Sequence, residues 1–353
     1  MAPTPTVQVD EHVIGAEHPP FVIAEMSGNH NGSIARALEI VDAVARTGAQ
    51  ALKLQTYTAD TLTIDVDRPA FRVASDHGLW GGRTLHDLYR EAHTPWEWHQ
   101  EIFERARQHG MVPFSSPFSP SAVELLESLD VALYKVASAE IVDLPLIREI
   151  ARTGKPLVIS TGMATVAEIE AALDAARSAG GGEVVLLACT ASYPADPADA
   201  RLGNIAVLRD LFGVPVGLSD HTPGVGVAVA AVALGAVAVE KHVTMDRADG
   251  GVDSDFSLVP EELEVLCEAS LAAWQSSRSG VRFGPTESER TVHRLRRSLY
   301  VVDDVRAGEE VSAANVRSIR PAGGLPPDAM STVLGRRFTR DVERGTPLSW
   351  DLV

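Results

Sequence analysis

Hydrophobic and polar positions alternate in blocks from about residue 20 to residue 275. Eight short apolar runs, FVIAEM (21–26), ALKLQT (51–56), MVPFSS (111–116), LYKVAS (133–138), PLVIST (156–161), VVLLACT (184–190), PVGLSD (215–220) and AVAVEKHV (236–243), are separated by longer amphipathic segments. Short apolar runs between helical patterns predict parallel strands covered on both faces. The segments SIARALEIVDAVARTG, PWEWHQEIFERARQHG and VAEIEAALDAARSAG read as helices, and each ends in Gly, where helices commonly stop. Eight strand–helix units over about 250 residues predict an α/β fold of the (β/α)₈ TIM-barrel type. An open doubly wound sheet is the structural alternative. No GxGxxG follows the first run and every run ends in polar residues, and both facts favour the barrel.

The polar endings carry most weight. Successive strand ends supply Glu25; Lys53 and Gln55; Ser115 and Ser116; Lys135, Ser138 and Glu140; Ser160 and Thr161; Thr190; Ser219, Asp220 and His221; and Glu240, Lys241 and His242. A barrel gathers them on its C-terminal face, where barrel active sites are built.

The division expected from the pattern is an N-terminal extension over 1–20, a barrel over 21–275, a polar linker over 276–296 and a small strand-and-turn domain over 297–353. Residues 57–94 form an insertion too long for an ordinary connection, with Trp80, Gly81, Gly82 and Tyr89, and are expected to act as a lid. The apolar stretch Val225 to Val239 is too short for a membrane span and is broken by Gly226 and Gly235, so it reads as a buried helix. The terminal 57 or so residues are marginal alone, which implies support from the barrel or a second subunit.

Composition narrows the function. The net charge of −17 opposes binding to nucleic acid or an anionic membrane. Cys189 and Cys267 are too few for a disulfide framework, and no basic n-region precedes an apolar run at the start, so the cytoplasm is expected.

His221 and His242 end neighbouring strands about 5 Å apart, close enough to share a metal. Two ligands leave positions for water and a substrate oxygen, which suits Lewis-acid chemistry by Mn²⁺, with Mg²⁺ or Co²⁺ as substitutes. Lys53 and Lys135 inside apolar strands need an anionic partner, a phosphate or carboxylate, aided by Ser116, Ser138 and Ser160. Glu25 and Glu140 either orient hydroxyls and shuttle protons or pair structurally with a lysine.

The motifs AEMSGNHNG, KLQTYTADTL, YKVASAEI, ISTGMAT, GLSDHTPG and EKHVTMDRADGGVDSDFSLVPEEL resemble the sialic acid synthase family, and more closely its pseudaminic acid synthase branch. The C-terminal SIRP and LGRRFTRDVERGTPLSWDL resemble that family's antifreeze-like (SAF-type) domain. The resemblance implies an enzyme joining C3 of phosphoenolpyruvate to the aldehyde carbon of an N-acetylated amino sugar, giving a nine-carbon 2-keto acid and phosphate. It further implies that Lys53, Ser116, Lys135, Ser138, Ser160 and Ser219 bind phosphoenolpyruvate and that His221 and His242 hold the metal. Glu140 would transfer protons, and Glu25, Gln55, Tyr193 and Asp253 would contact the sugar. Arg320 would cap the sugar in a partner subunit's barrel, making a domain-swapped homodimer. Where sialic acid synthases carry an asparagine after CT, this chain has Ala191 and Ser192 before Tyr193. That departure and the RADGGVDSDFSL segment favour 2,4-diacetamido-2,4,6-trideoxy-L-altrose as acceptor. The rival readings are an N-acetylneuraminate, legionaminate or related nonulosonate synthase, a metal-dependent pyruvate aldolase, and a non-catalytic glycan-binding protein.

Overall fold

The computed structural model describes residues 5–74 and 80–353, so part of the expected lid, residues 75–79, lies outside the described residues. The chain divides into two units, Met1–Ser279 and Gly280–Val353.

In the first unit an antiparallel hairpin, β1 (Thr6–Val9) and β2 (His12–Gly15), precedes eight parallel strands. These are β3 (Phe21–Glu25), β4 (Ala51–Thr56), β5 (Val112–Pro117), β6 (Tyr134–Val136), β7 (Leu157–Ser160), β8 (Val184–Cys189), β9 (Val216–Asp220) and β10 (Ala238–His242). All eight apolar runs form these strands. They close in the order β10-β3-β4-β5-β6-β7-β8-β9, a TIM barrel.

Side chains alternate across a strand, so one parity of each strand faces the interior. From the N-terminal end upward, that parity reads Phe21, Ile23, Glu25 on β3 and Ala51, Lys53, Gln55 on β4. It reads Val112, Phe114, Ser116 on β5, Leu133 and Lys135 entering and along β6, Val158 and Ser160 on β7, and Val185, Leu187, Cys189 on β8. The apolar members form one cluster with Val7, Val9 and Ile14 of the hairpin, which therefore plugs the N-terminal end. On β9, Gly217 is required by packing, because a Cβ there would stand 2.4 Å from the Ala238 carbonyl oxygen and 2.7 Å from a Leu187 methyl.

The opposite parity, including Val22, Ala24, Leu52, Leu54, Leu157 and Ile159, packs under the surrounding helices in a second, larger core. The amphipathic segments fold as expected into helices, among them Ile34–Val44, His99–Gln108 and Val166–Ser178. The last opens on a Thr165–Glu168 capping box, which satisfies two N-terminal backbone donors, and gives way to Gly180 at φ +85°.

Residues 6–15, within the N-terminal extension, form an ordered hairpin, because alternating Val7 and Val9 offer an apolar face to the barrel floor. Two segments differ from expectation. The stretch Val225 to Val239 is not one buried helix: it is a helix over Gly226–Ala233, half exposed, then a turn at Gly235 and the start of β10. The final helix of the first unit, Pro260–Arg278, runs on into what the sequence assigns to the linker. The insertion contains helices Ala59–Leu62 and Leu85–Ala92.

The second unit pairs β11 (Ser298–Val301) with β12 (Val316–Ile319) around a compact core of Leu299, Val301, Val316, Phe338, Val342 and Leu348.

Candidate active site

At the C-terminal mouth the inward parity turns from apolar to charged. The ammonium of Lys53 lies 2.7 Å from the Glu25 carboxylate and 3.6 Å from that of Glu240. Lys135 stands 3.9 Å from Glu240, and its one hydrogen bond among the described residues goes to the Val136 carbonyl oxygen at 3.1 Å. Ser219 donates to Glu240 at 2.9 Å. All four charged side chains are buried, at 0–4 % exposure.

Charges this deep must be read as a set. Burial works against ionised Glu240, yet Lys135 and Lys53 outweigh it and hold its pKa low. Burial likewise opposes charged Lys53, but Glu240 and Glu25 keep its pKa raised. Burial dominates for the other two, pushing Glu25 up and Lys135 down. Lys135 is thus a buried cation with too little negative charge beside it. Ser160, on the strand next to Lys135, has a buried hydroxyl with no hydrogen-bond partner among the described residues. An under-neutralised ammonium and an unsatisfied donor together make a seat for an anion.

The imidazoles of His221 and His242 lie side by side, with ring centres 5.3 Å apart. Nδ1 of His221 donates to the Thr190 carbonyl at 3.0 Å, which leaves Nε2 as a lone-pair donor. Nδ1 of His242 is buried with no hydrogen-bond partner among the described residues, 3.6 Å from the Asp253 carboxylate. Burial lowers the pKa of both rings, and for His242 the neighbouring His221 adds to it, so both are neutral. Two neutral imidazoles, one with an orphaned nitrogen, fit a divalent metal, although among the described residues no group of three His, Cys, Asp or Glu side chains is placed to hold one.

Beside His242 a cavity of about 450 Å³ opens. Its polar lining includes Ser27, Gln55, Asp253, His242 and three tyrosines, Tyr57, Tyr89 and Tyr193, and its apolar lining includes Trp80, Leu85, Leu88 and Val252, mostly from the insertion. Trp80 donates from its indole to the Val252 carbonyl at 2.9 Å, tying the insertion to the loop after β10. Gln55 donates to Glu25 at 2.9 Å, and Ser27 donates to Asp253, whose carboxyl burial raises to about 6. The Tyr193 ring centre lies 4.4 Å from that of His221, with the ring planes tilted by 55°. A larger hollow of about 570 Å³, lined by residues such as Met163, Val166 and Leu211, contains none of these charged or imidazole groups.

The NeuB family model matches residues 40–282, and a SAF domain matches residues 296–353. The chain belongs to the NeuB family. It is 40% identical over 331 residues to the pseudaminic acid synthase of Campylobacter jejuni, covering 93% of this chain and 95% of that protein. With the pseudaminic acid synthase of Helicobacter pylori it shares 38% identity over 340 residues, covering 94% and 97%. The crystal structure of an N-acetylneuraminic acid synthetase from Leptospira borgpetersenii, in complex with citrate, superposes with a TM-score of 0.72 at 28% identity, covering 82% of this chain and 95% of that one.

In this NeuB-family barrel the sequence-expected residues divide into three groups. Glu25, Lys53, Gln55, Ser116, Lys135, Ser160, Ser219, His221 and His242 stand on or directly after the strand ends, while Asp253 and Tyr193 reach the same mouth from loops. Ser138 and Glu140 lie on the short turn after β6; Ser138 accepts from the Gly162 amide at 3.1 Å, and a buried oxygen of Glu140 has no hydrogen-bond partner among the described residues. Burial raises the Glu140 pKa. Arg320 belongs to the second unit, exposed just after β12.

Two residues are given no role by the sequence, although Glu240 stands among its strand ends. Glu240 sits between both lysines, and Ser27 fixes Asp253. Counting inward parity back from His242 would have turned Glu240 into the interior; nothing in the sequence marks Ser27.

Proposed function

We propose that this chain is a pseudaminic acid synthase, condensing phosphoenolpyruvate with 2,4-diacetamido-2,4,6-trideoxy-L-altrose in its open-chain aldehyde form. The carrying observation is the buried, under-neutralised Lys135 beside the orphaned Ser160 hydroxyl, in a mouth that also holds two neutral imidazoles. Membership of the NeuB family and the names of the relatives support the reading.

In this reading Lys53, Lys135, Ser116, Ser138, Ser160 and Ser219 hold the phosphate and carboxylate of phosphoenolpyruvate. Glu25, Gln55, Asp253 and Tyr193 orient the sugar. C3 of phosphoenolpyruvate then forms a carbon–carbon bond to the aldehyde carbon, whose oxygen takes up a proton; water adds at C2 of the former phosphoenolpyruvate, giving up a proton, and phosphate leaves to give the keto acid. Glu140, whose pKa burial raises and whose buried oxygen has no hydrogen-bond partner among the described residues, would carry protons between these centres. His221 and His242 would hold a divalent ion, Mn²⁺ with Mg²⁺ or Co²⁺ as substitutes, and its chemistry is to polarise the aldehyde carbonyl. The apolar lining from Trp80, Leu85, Leu88 and Val252 suits a 6-deoxy sugar with acetamido methyls better than a more hydroxylated one.

Arg320 of the partner subunit would close the sugar end, giving a domain-swapped homodimer. Two unpaired cysteines fit a cytoplasmic enzyme. Initial rates with a panel of acceptors, the bis-acetamido altrose against N-acetylmannosamine and the legionaminate precursor, test the assignment. A kcat/KM at least about 10-fold higher for the altrose is expected. A preference for either other sugar would replace the assignment with its synthase.

A further inference from the structure

Register and parity place one more pair of charges next to the imidazoles. Glu240 and Ser219 are cross-strand partners on β10 and β9 and meet in the interior. One residue further, Lys241 and Asp220 are partners of the opposite parity, turned away from the interior. They form an ion pair of 2.7 Å whose side chains are 0% and 1% exposed.

A buried pair of this kind is weak evidence for stability, because desolvation consumes most of its attraction, so its placement matters more than its existence. The placement is specific. Asp220 immediately precedes His221, and Lys241 immediately precedes His242. Asp220 Oδ1 accepts the Thr222 amide at 2.9 Å, and Lys241 donates to the Thr222 carbonyl oxygen. The backbone on both sides of His221 is therefore gripped by the pair, and the cation that completes the grip belongs to the residue before His242. Each histidine thus follows directly on one member of the same ion pair.

We propose that Asp220 and Lys241 are positioning residues for metal binding: they lock the two strand ends so that His221 and His242 present their nitrogens to one ion. The inference rests on the reading that these histidines hold the metal. It asks nothing of substrate, which the pair does not touch.

Calorimetric titration of the metal-stripped, full-length protein with Mn²⁺, and with Co²⁺ followed by its visible absorption, tests it. The key variant is the double substitution Asp220→Leu with Lys241→Met, which replaces the pair by apolar groups and is expected to keep the melting temperature close to that of the wild type. Metal affinity is expected to fall about 10- to 100-fold, as for loss of other groups that orient ligands, with a changed Co²⁺ spectrum. Lys241→Arg, which keeps the charge and donors, is expected to stay within about 3-fold of wild type. If the double variant does not fold, Asp220→Asn takes its place, with an expected loss of about 10-fold. Wild-type affinity and spectrum in a folded double variant, or in folded Asp220→Asn, would overturn the positioning role alone. Metal binding by the wild type that survives His242→Ala, or no stoichiometric binding by the wild type, would overturn the metal reading with it.

Discussion

The two ends of this barrel are made by the same eight strands and by the same inward parity, yet they do opposite things. At the N-terminal end, Phe21, Ile23, Ala51, Leu133 and Ala238 pack with Val7, Val9 and Ile14 of the hairpin into an apolar plug. Two residues along the same strands, the interior holds Glu25, Lys53, Lys135 and Glu240. The plug closes one end by packing alone. Four buried charges can then be held at the other end because the fold is anchored elsewhere. Stability and chemistry are thus separated by about 7 Å along a strand, the rise of two residues.

Substitutions at the two ends should therefore separate activity from stability. At the mouth, His242→Ala is expected to lower kcat by at least about 10³-fold with a melting temperature within a few degrees of wild type. Near-normal turnover would exclude ligation by His242. Lys135→Met keeps the buried stem and removes the under-neutralised charge. It is expected to cost about 10- to 100-fold in kcat/KM for phosphoenolpyruvate, the worth of one charge-assisted hydrogen bond, without loss of stability. At the plug the pattern reverses: Ile14→Ala, at a fully buried position, should cost about 2–5 kcal/mol in denaturant unfolding while kcat/KM stays unchanged. A drop in activity without a drop in stability would blur the distinction. The smallest effect is expected from Arg320→Ala, about 10-fold or less in the KM for sugar and none in that for phosphoenolpyruvate.

Much of this separation was legible in the sequence. The eight apolar runs and their polar ends locate the strands and the mouth, because strand length and parity are local properties. Lys53, Lys135, His221 and His242 stand out as polar residues ending apolar runs. Glu240 does not, since in EKH three polar residues adjoin and only register with β9 tells which of them face inward. The same ambiguity hides Asp220 and Lys241, whose pairing is a cross-strand fact. The hairpin over 6–15 is short and polar on one face, and only the barrel floor gives its valines something to cover. In Val225 to Val239, uniform apolarity conceals a change from helix to strand, which Gly235 marks only once the turn is seen.

The central claim is that the charged mouth brings an enol phosphate and an aldehyde together. Phosphate release from phosphoenolpyruvate, followed in parallel with consumption of the bis-acetamido altrose by the purified, Mn²⁺-supplied protein, tests it most directly. The account expects one phosphate per sugar consumed, a nine-carbon 2-keto acid as product, and no phosphate without sugar. Sugar consumption with pyruvate and no phosphate, or phosphate release indifferent to sugar, would contradict it.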